Sequence, residues 1–372
     1  MNRHIFLWSV ILIFSSGSLF SQPDRSWPIF RGDPQLTGYS DIKISGRLKL
    51  AWAFQAEDDF VAPPVTAGGK IFTGSIDGTF IALDMKGDLL WKYETENSIE
   101  APALYHDGVV YFGNLSGILY ALEATTGNLI WQYETENQIM GSPNYFLSDN
   151  TTYLIVGSYD YFLHCVNAAN GIAAWKYESD NFINGAAAVT GKRAVFGGCD
   201  GFLHVVDLNT GQGKQKLEVA TYIAGSVAII GENAYTGDYD GLFSCIDLGT
   251  GRILWRWDNP ESNLPILGSP AVTRDKVVIG GQDKYLYCFD NANGKLQWSF
   301  NAGGRIDASP VIIRDKVVIA TMEGMIYLID LNSGKEIWSY EIGSAIAHNP
   351  AVSGGKIIVT ARDGNIYCFE SE

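Results

Sequence analysis

Glu100, Asn184, Asp307 and His348 carry the oxygen and imidazole donors from which a Ca2+ or other metal site could be assembled. Three of them hold one position, the residue after the isoleucine of a recurring Ile-x-Gly-Ser-Pro segment that is clearest at 266–270 and 306–310. His348 follows one residue later, where Gly or Ala is usual. In the other copies the position is Val61, Met140, Ala224, Leu267 and Ala347, and Glu100 and Asp307 belong to the second and seventh copies. Donors separated in this way are expected to line a water-filled channel rather than to converge on an ion. The remaining histidines show no ligand spacing: His4 is near the start, His106 in a turn, and His164 and His204 share one slot of successive copies. The sequence has no Gly-rich phosphate loop, His-Glu-x-x-His or nucleophile elbow. We assign no catalytic, cofactor-binding or metal residue.

Carboxylates and thiols recur too regularly to be special. Asp77, Asp200, Asp240 and Asp363 precede glycine, and Asp84, Asp207, Asp247, Asp290 and Asp330 begin connections that contain it. Asp caps its own backbone in turns and Gly takes positive φ, so these are turns rather than acid–base pairs. Cys165, Cys245, Cys288 and Cys368 occupy a slot that is Ala82, Ala121, Val205 and Leu328 elsewhere, an apolar and buried position. Equivalent atoms of neighbouring copies lie beyond the roughly 4–7 Å that a disulfide spans. Cys199 falls in another slot, and five cysteines imply no disulfide framework.

The elements that must position these residues announce themselves as a repeat. Trp followed two residues later by an aromatic occurs at Trp52, Trp91, Trp131, Trp175, Trp255, Trp298 and Trp338, with spacings of 39, 40, 44, 80, 43 and 40. Gln215 stands midway through the double interval, so eight phases exist and seven carry Trp. Within one unit, 266–273, 277–282, 285–290 and 296–300 are short β-rich runs separated by turn formers. Four-stranded modules at a period of about 40 residues describe an all-β fold, an eight-bladed β-propeller of four-stranded antiparallel blades. The ring is expected over 50–372, its first strand, 50–54, completing the last blade beside 366–369 and removing the open edge. Residues 22–49 are expected to cap that joint. The seven Trp rings are expected to dock blade on blade, not to form a stacking platform.

The 372 residues are 47% hydrophobic and only 18% charged, so a large core is assured. The balance of 26 basic against 41 acidic residues, net −15, argues against nucleic acid and anionic membranes as partners. Residues 1–21 read as a signal peptide: Arg3, an apolar run over 5–14, then small residues with cleavage after Ser18 or Ser21. The run is shorter than the roughly 20 residues of a bilayer span, and no Cys follows it to take a lipid. The expectation is a soluble, monomeric, exported protein, periplasmic or extracellular, with no direct membrane insertion.

Trp27-Pro-Ile-Phe-Arg31-Gly32-Asp33, Thr37-Gly38, the Asp-Gly-x-Leu-Tyr-Ala-Leu-Asp echoes and Gly-x-x-x-Trp at 127–131, 251–255, 294–298 and 334–338 resemble the PQQ-like β-propeller repeat family over about residues 27–370. The resemblance implies one of two roles. Quinoprotein dehydrogenases of the family hold PQQ and Ca2+, typically beside adjacent cysteines. Its non-catalytic envelope scaffolds, similar to outer-membrane protein assembly factor BamB, present loops on one propeller face to envelope proteins. This chain has no Cys-Cys pair and few long insertions to cover a cofactor, which favours the scaffold, although the lipidated Cys of BamB is missing. A PQQ/Ca2+ oxidoreductase is the alternative, and a carbohydrate- or ligand-binding module using Tyr159, Tyr161 and Tyr239 a second one. Arg31-Gly32-Asp33 also spells an integrin-type tripeptide, which the resemblance places in the segment before the ring.

Overall fold

The computed structural model describes residues 26–56, 59–219 and 221–372, so the leader expected at 1–21 lies outside the described residues. Eight separate sheets follow one another along the chain, each with four antiparallel strands, one of them carrying a fifth, parallel strand from the N-terminal segment. They are numbered here as blades 1–8 in chain order, blade 1 beginning at Val65 and blade 8 at Ala351. In every blade the chain runs from an inner strand outward. Second strands such as Lys276–Gly280 are apolar without alternation and buried on both faces, because each blade is covered by its two neighbours. Outer strands such as Leu129–Glu134 alternate toward solvent.

Leu48–Gln55 pairs antiparallel with Asn365–Ser371 along its length, from Leu48 opposite Ser371 to Gln55 opposite Asn365. The first strand therefore supplies the outer edge of blade 8, and the ring is closed by a ladder of backbone bonds. Inner strands are much shorter than the sequence runs suggest: blade 6 has only Ala271–Val272. The Ile-x-Gly-Ser-Pro residues before it lie along the axis instead, since Pro270 has no N–H for a ladder and Gly268 lies close to the next blade's backbone.

The N-terminal segment does more than meet the closing joint. Trp27 exchanges backbone bonds with Thr66 of blade 1, and the carbonyls of Pro28, Pro34, Gln35, Thr37 and Gly38 accept in turn from Tyr105, Val189, Ile229, Val272 and Ile312. Asn144 Nδ2 of blade 3 also donates to the Pro34 carbonyl, at 2.8 Å. One strand of chain thus circles the inner strands of blades 1 to 7 and ends as Tyr39–Ser40, a short parallel strand on blade 7. It satisfies inner-strand N–H groups that would otherwise face an open axis.

At the rim, each Trp ring reaches into the following blade. Trp52, Trp91, Trp131, Trp175, Trp255 and Trp298 donate Nε1 to the carbonyls of Met85, Ala124, Ala168, Leu208, Asn291 and Leu331 at 3.0–3.2 Å. Each of these six rings also covers a positive-φ glycine of that blade, for example Trp175 over Gly211, where a Cβ would come within 2.7 Å of the indole, whereas Trp338 meets Phe369 of blade 8 edge-on at 5.6 Å. The rings are half-buried rather than enclosed, because they close the outer seam of the joint.

Candidate functional site

The connections that precede the inner strands surround an axial cavity of about 230 Å3. Glu100, Asn184, Asp307 and His348 all line it, together with Met140, Ala224 and Leu267. Phe30 of the N-terminal segment also lines it, so the turn that crosses the opposite face supplies its floor. The face away from that turn, formed by the connections that precede the inner strands, is called here the upper face. Gly141 and Gly225 each leave a neighbouring backbone carbonyl where a Cβ would fall within 2.6–2.9 Å, so the blades approach closely around the axis.

The donors are dispersed around this cavity. Asn184 accepts from the Tyr159 hydroxyl at 2.6 Å and donates to the Ala224 carbonyl at 3.1 Å. Asp307 accepts from Gln282 Nε2 at 3.2 Å, and Glu100 from Ser98 at 3.3 Å. His348 is half-buried in the cavity lining; desolvation, helped by the Arg362 charge, lowers its imidazole from 6.5 to about 4. It is neutral at pH 7. Among the described residues no three His, Cys, Asp or Glu side chains come together so as to hold a metal ion. The five cysteines are separate and free, and burial pushes the thiols of Cys165, Cys245, Cys288 and Cys368 up to about 12. These residues do not fit the Ca2+ and adjacent-cysteine surroundings that a bound PQQ implies.

A feature the sequence displayed without explaining is the Ser of the inner motif. Ser226, Ser269, Ser309 and Asn349 accept from the backbone N–H of Ala186, Ser226, Ser269 and Ser309 at 2.7–2.9 Å. This girdle ties blades 4 to 8 around the axis. It does not extend to blades 1 and 2, where the equivalent residues are Pro63 and Pro102 and have no N–H to donate. The recurrence of Ser was the available signal; its partner is a backbone group of the preceding blade, about 40 residues away, which no local pattern reveals.

Two further constellations sit at joints. His164 places Nε2 2.9 Å from Asp160 and Nδ1 3.0 Å from the Tyr133 hydroxyl of the preceding blade. His204 repeats this with Asp200 and Tyr177, at 2.9 and 3.0 Å. A carboxylate only accepts, so Nε2 carries the proton and the phenol donates to Nδ1. Burial would raise Asp160, but the His164 hydrogen bond and charge, with backbone N–H bonds, outweigh it and bring the carboxyl to about 2. Both histidines are buried away from any cavity mouth, so these are blade-to-blade links. Arg31 is fully buried, donating Nη2 to the Pro270 carbonyl at 3.0 Å, so the Arg31-Gly32-Asp33 tripeptide is not displayed. An open cleft of about 840 Å3 lies between the N-terminal segment and blades 5–7, away from the axial donors.

A family model described as outer membrane protein assembly factor BamB matches residues 45–158, 87–300 and 282–372, the whole of the ring. The chain belongs to this family of PQQ-like propellers. Among solved structures, BamB from Moraxella catarrhalis aligns with a TM-score of 0.74 at 20% identity, covering 88% of this chain and 98% of that one. A europium-containing methanol dehydrogenase aligns at 0.76 and 14%, covering 94% and 98%. A quinohemoprotein alcohol dehydrogenase from Comamonas testosteroni aligns at 0.76 and 14%, covering 93% and 80%. At these identities the likeness to BamB and to the dehydrogenases is one of fold. Comparison with curated protein sequences returns no match.

Proposed function

We infer that this BamB-family propeller is a non-catalytic interaction scaffold of the bacterial envelope, exported and soluble, presenting the loops of its upper face to protein partners. The observation that carries the reading is the axial cavity: about 230 Å3, floored by Phe30, below the roughly 300–1,000 Å3 of small-molecule sites. Its dispersed donors support the same reading, as does the absence of any membrane-spanning helix among the described residues. Capture of envelope proteins on the full chain, followed by reciprocal capture from the partner side, tests it. Reproducible recovery of one partner is expected; repeated recovery of none contradicts it.

The likeness to alcohol dehydrogenases motivates one competing reading, a PQQ/Ca2+ oxidoreductase. Incubation with PQQ and Ca2+ is expected to give neither tight binding nor dye reduction with alcohols. Either one would overturn the scaffold.

A further inference from the structure

The two faces of the ring differ in charge far more than the sequence total suggests. Loops joining second to third strands, and outer strands to the next inner strand, form the upper face. Their described residues hold sixteen carboxylates against three basic side chains, Lys284, Arg305 and Arg362. Loops of the opposite face hold six against six. Asp160, Asp200 and Asp238 are buried in their turns; without them the upper count is still thirteen against three. Five outer strands, moreover, end at the upper face in Glu, as Leu89–Glu94 does, against the strand-end cations Lys92, Lys176, Lys216 and Arg256, of which Lys92 pairs with Glu94 and Lys216 with Asp180. On the opposite face, by contrast, strand ends oppose charges of both signs, as in Lys276 opposite Asp290 and Lys356 opposite Glu370.

The same upper face carries an aromatic ridge. Tyr159 stacks on Phe182 with centroids 4.6 Å apart, and Tyr161 leans on Phe182 at 5.2 Å. Tyr222 meets Tyr239 edge-on at 5.0 Å. Tyr161 is 42% exposed and Tyr239 50%. Through its bond to Asn184, Tyr159 connects the ridge to the open channel mouth.

We propose that this ridge and its carboxylate surround are a docking surface for an extended, Arg- and Lys-rich segment of a protein partner, which rests on the scaffold reading above. Charge complementarity selects the occupant. The carboxylates are set about one per blade turn instead of converging, so they match a spread chain of cations better than a single ion. Exposed Tyr rings among carboxylates give arginine both a stacking face and a counter-charge. The N-terminal segment covers the other mouth and adds two carboxylates and three basic residues there, keeping that face neutral.

Fluorescence anisotropy with the full chain and a labelled alternating Arg–Ser peptide tests the proposal, the Glu–Ser peptide being the control. Binding of the first alone is expected, weakening as salt shortens the Debye length from about 10 Å at 0.1 M to about 3 Å at 1 M. Reversing three upper charges together, Glu136→Lys, Asp240→Lys and Glu261→Lys, is expected to weaken binding about tenfold. Reversing three lower ones, Asp88→Lys, Asp275→Lys and Asp315→Lys, changes net charge equally and is expected to leave binding within about twofold. Removing the ridge by Tyr161→Ala with Tyr239→Ala should weaken the Arg–Ser peptide more than a Lys–Ser peptide. Equal losses from the two triple variants, or no binding of Arg–Ser, would overturn the proposal. If an envelope partner were still captured in that case, only this surface would fall. A bound peptide with no captured partner would instead sink the envelope assignment.

Discussion

Two neighbouring joints of the ring are built differently. Between blades 3 and 4, Trp175 covers Gly211, donates to the Leu208 carbonyl at 3.0 Å, and is backed by the Tyr177–His204–Asp200 chain. Between blades 4 and 5 the indole is replaced by Gln215, whose Oε1 is buried without a partner, and Leu217 slides over Gly251 instead. Around the apolar cluster of the second joint, the rim is held by Arg193 on Glu232, both contacts 2.9 Å, and by Arg256, which is anchored on Ser244 of its own blade and donates to the Val219 carbonyl. Exposed ion pairs contribute about 0–1 kcal/mol, less than an aromatic ring against a blade. A shared repeat therefore does not imply a shared seam: both joints bury apolar clusters, but the outer seam of one is closed by an indole and that of the other by an amide, Leu217 and an ion pair, and is expected to be the weaker.

Trp175→Ala should destabilise by about 3 kcal/mol, a little under the full-core cost because the ring is half-buried. A lowered thermal midpoint checks it, and an unchanged one would show the ring to be decoration. The glycines sharpen the contrast. Gly211→Ala at φ +69° drives a methyl into the indole and should cost about 2 kcal/mol, whereas Gly251→Ala at φ +70° meets only the flexible end of Leu217 and should cost about 1. Equal denaturant midpoints for the two variants would remove the distinction. Ser269→Ala, which leaves the buried N–H of Ser226 without its acceptor, should cost about 1 kcal/mol at the axis, measurable by urea unfolding.

Acid separates the joints by sign. Burial, opposed by Asp200 and Asp180, holds His204 below 6.5, with Lys216 assisting. Folding thus favours neutral imidazole, and that contribution is present above pH 6.5 and lost as pH falls through the lowered value. Amide exchange of blade 4 against blade 3 should quicken as pH drops from 7 toward 5, after correction for intrinsic rates. In blade 5 Ser244 occupies the His204 slot, so this joint should show no such step.

How far these features could be read from the sequence follows their range. The Trp period, the eight phases and the closing strand were legible because each blade repeats the same local demand for buried strands and turns. His164 and His204 were visible as one recurring slot, yet their role needs Tyr133 and Tyr177 from the preceding blade. A cap on the closing joint is only part of what the N-terminal segment does: residues 42–48 meet that joint, but the circuit over seven blades was not legible, since nothing in 27–40 repeats. Charge segregation was hidden because net charge sums over faces that only the ring separates.

The account stands on the upper face being the working surface of a scaffold. Photocrosslinkers at Tyr239 on that face and at Lys295 on the opposite one, in cells of the source organism, give the test. The account predicts discrete protein adducts from Tyr239 and none from Lys295. Adducts from Lys295 alone, or from neither position, would contradict it.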